Sequence, residues 1–176
     1  MRVIATYVRV DTEALEALRN TADWLDELYQ GRVQRAQVID IDKACDGIVW
    51  LLSRVSPPPA APVQGGAFVF RRSLAPLISG AGGKKAPRLK APHGPASSIN
   101  PELVVEFSSW LRGIDPNELR EAYKPQAMAD DDVYPQIWVD EPGAALEQYL
   151  IPQLAKLTDF LSAAARAGQG VLVCFT

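Results

Sequence analysis

The two ends of the chain constrain the fold most. The opening MRVIATYVRV alternates from Arg2 to Val10 and is rich in β-branched residues, the period-2 signature of a strand. The closing GVLVCFT is a short, mostly apolar run, which reads as a second strand. Strands need partners for their backbone N–H and C=O groups, and most of the sequence between them is helical in period. The expectation is therefore an α+β fold in one domain. Its small sheet would contain the N- and C-terminal strands as neighbours, with helices packed against one face. At 176 residues the chain has room for one such core and is short for two.

Helix signals punctuate the interior. Asp11 is placed to cap a helix over about 12–30, where Leu15, Leu18, Ala22, Leu25 and Tyr29 fall on one face and Gly31 ends the run. Gln34–Asp40 reads as extended. A second helix is expected from Asp42, with Asp42 as its cap and Ala44, Cys45, Ile48, Leu52 and Val55 as its core stripe. Three prolines at 57–59 stop it. The region 56–98 is rich in Pro and Gly, and SGAGGKKAPRLKAPHGPASS reads as a mobile loop. Asn100-Pro101 and Asp115-Pro116 each pair a capping residue with a proline at the first helical position. The last helix carries Leu146, Leu150, Leu154, Leu157, Leu161 and Ala164 on one side, ends at Gly168, and contains Pro152, where a kink or restart is expected.

Charge is laid out unevenly. From Ile48 to Asn100 there is no Asp or Glu but seven basic residues, while the rest of the chain holds 11 basic and 21 acidic ones. A basic middle on an acidic body suits self-complementarity or an anion- or acid-binding surface. A pI near 5.2 argues against a nucleic-acid-binding domain. No apolar run reaches the ~18–20 residues of a membrane helix, and the N-terminus lacks the pattern of a signal peptide. Cys45 and Cys174 lie in apolar surroundings, as expected of reduced cysteines in a cytoplasmic protein. With two Cys and the single His93, neither a metal site nor a cofactor is expected.

No familiar catalytic arrangement is present. GAGGKK lacks the spacing of a phosphate-binding loop, because Ile78 stands where the first glycine should and Lys85 follows Lys84 in place of Ser or Thr. Two stretches stand out instead. In IDIDKACDGIVWLL, a glycine (Gly47) lies mid-helix at a cost of ~1 kcal/mol relative to Ala, which implies close approach of another group. Trp50 shares a charged face with Lys43, Asp46 and Arg54, where another segment of the chain or a partner must cover it. In ADDDVYPQIW, three aspartates precede Tyr134 and Trp138, residues that suit a groove or a sheet edge better than a bare turn. Asp40, Asp42, Lys43, Asp46, Trp50, Tyr134 and Trp138 are the candidate binding residues. They point to a protein partner, as in adaptors or toxin-neutralising immunity proteins. The alternative is a small anionic ligand closed over by the basic loop. An enzyme built on them would use Asp40, Asp46 or Tyr134 as acid or base.

Four stretches together, MRVIATYVRV, IDIDKACDGIVWLL, YKPQAMADDDVYPQIW and GVLVCFT, resemble the YfbM-like family, bacterial proteins of unknown function. The resemblance covers essentially the whole chain and implies a single α+β domain without implying an activity. The chain departs from the family pattern at Cys45, where a bulky aromatic is usual, and at Val49, where a histidine is common. A histidine-dependent reaction at this helix is accordingly not expected.

Overall fold

A computed structural model describes residues 4–11, 13, 37–55, 85–91 and 94–175. Five strands form one sheet: β1 (Ala5–Val10), β2 (Val38–Asp40), β3 (Lys85–Ala91), β4 (Gly94–Ile99) and β5 (Gly170–Phe175). Their order is β2-β1-β5-β4-β3, and every neighbouring pair is antiparallel. The terminal strands are neighbours as expected, with Ala5 opposite Phe175, Tyr7 opposite Val173 and Val10 opposite Gly170.

Alternation assigns Ala5, Tyr7, Val171 and Val173 to one face, where they join the main hydrophobic core. Val8, Val10, Leu172 and Cys174 point the other way and are buried too. Both faces of the central pair are thus covered, not one, which is why GVLVCFT carries no polar alternation. The stretch expected to be a loop before Asn100 is largely sheet, since β3 and β4 pair there with an irregular register between Lys85 and Lys90. Residue 13 apart, the helix expected over 12–30 lies outside the described residues, as does the segment 56–84.

Helix α1 (Cys45–Leu52) follows β2. Helices α2 (Pro101–Gly113) and α3 (Pro116–Ala122) open as the sequence predicts. The Asn100 side chain accepts from the Leu103 N–H at 2.9 Å, and Asp115 accepts from that of Asn117 at 2.8 Å. Helix α4 (Pro125–Asp130) leads into an acidic turn. A helical turn, α5 (Pro142–Ala144), runs into a π-helical stretch, Ala145–Leu150, and then into α6 (Ile151–Arg166). Pro152 accounts for that stretch. Its ring cannot donate and would clash with the carbonyl of an α-helical turn. The widened register, with the Ile151 N–H bonded to the Leu146 carbonyl, lets the helix continue through it. The predicted stripe from Leu146 to Ala164 is buried throughout, and Gly168 terminates the helix at φ +64°. Helices α2 and α6 pack side by side, joined by a buried Ser108–Ser162 hydroxyl pair at 3.0 Å.

Candidate binding cleft

Helix α1 is buried on both sides. Ala44, Cys45, Ile48, Leu52 and Val55 form the predicted core stripe, and Gly47 and Trp50 are buried on the opposite, charged face. Gly47 explains the second burial. A Cβ there would lie 2.6 Å from Cη2 of Trp138 and 2.8 Å from Cδ2 of Leu150, so only glycine admits the indole. Trp138 is fully buried, and its indole N–H donates to the Val133 carbonyl at 2.7 Å. The Tyr123 hydroxyl donates to the Trp138 carbonyl at 3.3 Å. The wedge made by Trp138 fixes the turn 131–136 beside α1.

That turn covers Trp50. The indole N–H donates to Oδ2 of Asp131 at 2.7 Å, and the Arg54 guanidinium donates to the same oxygen at 3.2 Å. Arg54 also lies over the Trp50 ring, 3.3 Å from its centroid, and donates to the Trp50 carbonyl. One carboxylate and one ring therefore hold a guanidinium by ion pairing and cation–π contact together.

Between α1 and the turn is a cleft of about 300 Å³. Its lining among the described residues is Asp46, Val49, Trp50, Asp131, Asp132 and Val133. The charges are unequally compensated. Asp131 is paired with Arg54, and Asp132 accepts from the Gln136 side chain. Asp46 has no ion-pair partner among the described residues, and partial burial pushes its carboxyl above the usual range. Among the described residues the cleft thus carries negative charge without a matching cation beside an apolar wall. Three carboxylates make it unsuited to an anion. No group of three or more metal-ligating side chains converges among the described residues.

The other candidates lie elsewhere. Asp42 does not cap α1, whose first residue follows Ala44 with no side-chain cap. It adopts φ +47°, its N–H is bonded by Oδ1 of Asp40 at 3.2 Å, and its own Oδ2 accepts from the Tyr149 hydroxyl at 3.0 Å. The short Asp40 turn thus takes the place of a helix cap. Burial first, and the Asp42 carboxylate second, hold the Tyr149 phenol far above its ordinary range, so it acts as a donor; the Lys43 backbone and Tyr134 are neighbours. Asp40 faces Lys156 at 3.9 Å. Trp138 offers a partner no surface and serves packing instead. Asp46 and Trp50 are the only two of the seven sequence candidates that line the cleft among the described residues, and Asp40 and Tyr134 are not brought to it.

Sequence reasoning missed Asp131, Arg54 and Tyr149 as partners. Local spacing holds no signal for a contact such as Trp50 to Asp131, across 81 residues. Both thiols are buried, which disfavours the nucleophilic thiolate form. Burial first, and Asp46 second, push Cys45 far up, and burial raises Cys174 to about 11.

A crystal structure of YfbM from Escherichia coli, a protein of unknown function, superposes with a TM-score of 0.68 at 19% identity, over 98% of this chain and 99% of that one. At that identity the likeness concerns the fold alone. No sequence match is found among curated proteins. Residues 1–174 match a domain of unknown function, DUF1877, and the chain belongs to that family.

Proposed function

We propose that this chain is a non-catalytic binding module whose cleft between α1 and the acidic turn receives a basic group, an arginine or lysine side chain. The observation that carries the reading is Asp46, a solvent-accessible carboxylate without an ion-pair partner among the described residues, on the wall of a cleft that already contains Asp131 and Asp132. A cation entering there pairs with Asp46 and packs its stem against Val49 and Val133. Arg54 on Trp50 and Asp131 shows the same chemistry satisfied within the chain. The anionic-ligand alternative finds no support in a cleft with this lining.

A cytosolic setting is part of the proposal. Both cysteines are free and buried, which suits a reducing compartment, and no helix among the described residues is long and apolar enough to cross a membrane. Calorimetric titration with N-acetylargininamide tests the reading. Weak binding that is lost in Asp46→Asn and suppressed by salt is expected. Equal binding of the neutral glutamine analogue would contradict it.

A further inference from the structure

We infer that segment 130–141 is a docking surface for a protein partner presenting a basic face around an apolar centre, a step that rests on the cleft reading by assigning the incoming basic group to such a partner. Three large hydrophobic side chains are exposed among the described residues, and two of them are here: Ile137 at 37% and Val139 at 45%. They flank Trp138, whose anchorage under Gly47 turns both neighbours outward. Asp130, Asp131, Asp132, Asp140 and Glu141 frame them, all exposed. No Lys or Arg occurs from Pro125 to Ala155, so nothing in that stretch of sequence offsets the charge.

The surface is continuous with the cleft. Asp132 lines the cleft and is bonded to the Gln136 side chain, next to Ile137. An apolar centre within a polar, charged rim is the anatomy of a protein interface. Charge complementarity selects a basic partner and repels an acidic one.

The test uses the full chain and two peptides of equal length and charge, one alternating lysine with leucine and the other lysine with glycine. The leucine peptide should bind ~10-fold tighter. Ile137→Ser with Val139→Ser should abolish that preference and leave binding of N-acetylargininamide unchanged. Asp140→Lys with Glu141→Lys should weaken both peptides. Equal affinities, or a preference that survives the double serine variant, would overturn the inference while leaving the cleft reading intact. Failure of N-acetylargininamide to bind, with the leucine preference present and lost on serine substitution, would sink the cleft reading alone. Peptide binding gained only when Arg71, Arg72, Lys84 and Lys85 are changed to Gln would identify the chain's own basic segment as the occupant and overturn it. So would a dimer in sedimentation that the serine variant dissolves.

Discussion

Gly47 has no side chain because the Trp138 indole occupies the place of one, with Cη2 2.6 Å from where a Cβ would stand. The contact determines how close the acidic turn comes to α1. It links a local cost, glycine in a helix, to a long-range gain, a buried indole with its N–H satisfied. Gly47→Ala should therefore destabilise the protein by about 1–3 kcal/mol through overpacking, even though alanine favours the helix by ~1 kcal/mol. Urea denaturation at neutral pH measures this. The Leu150 methyl can shift, whereas the ring of Trp138, held by its bond to Val133, has less freedom.

Asp131 accepts from the Trp50 indole and the Arg54 guanidinium, and its substitutions separate their roles. Asp131→Ala strands the buried Trp50 N–H and should cost about 1–3 kcal/mol. Asp131→Asn keeps an acceptor for the indole and loses the ion pair with a half-exposed Arg54, so its cost should be smaller, about 0–1 kcal/mol. Equal losses in the two variants, by denaturant titration, would show that the indole bond contributes nothing.

The Tyr149–Asp42 bond crosses from the π-helical stretch to a residue with left-handed backbone. Tyr149→Phe removes a partly buried bond to a carboxylate and should cost about 1–2 kcal/mol. Asp42→Gly eases the backbone and deletes the acceptor. The double variant should consequently lose less than the two single losses added, with a coupling of ~1 kcal/mol in a double-mutant cycle.

Asp46 has a pH signature. Its carboxyl is raised in the folded chain by burial. The folded state therefore favours the protonated form, and the stability that proton contributes is complete below the ordinary carboxylate range and lost as pH rises through the raised value. Asp46→Asn should raise the melting temperature at neutral pH by on the order of 1–3 °C, screened as the group is by solvent. The advantage over the parent chain should vanish on acidification below the ordinary carboxylate range. An advantage that is constant with pH would point to packing instead of charge.

How much of this was legible in the sequence depends on the range of the interactions. The paired terminal strands, the Asn100 and Asp115 caps and the Leu146–Ala164 stripe follow from period, capping chemistry and proline placement, all readable within one turn or strand. Gly47 correctly announced a close approach but not by what, because Trp138 reaches it from another element. Asp42 has the composition of a cap and forms a different turn, since Asp40 and Tyr149 compete successfully for its polar groups. Asp131 was hidden among three adjacent acids. Nothing local tells which of them meets an indole N–H. Pro and Gly hide the strands β3 and β4, because pairing of β3 with β4 and of β4 with β5 outweighs local preference.

The most direct measurement is an NMR titration of the chain with N-acetylargininamide, following backbone amides and the indole N–H signals. Saturable shifts concentrated at residues 46–50 and 131–133, absent with N-acetylglutamate amide, are the result predicted. Shifts scattered over the surface, or equal ones with the anionic analogue, would contradict the assignment of the cleft to a basic group.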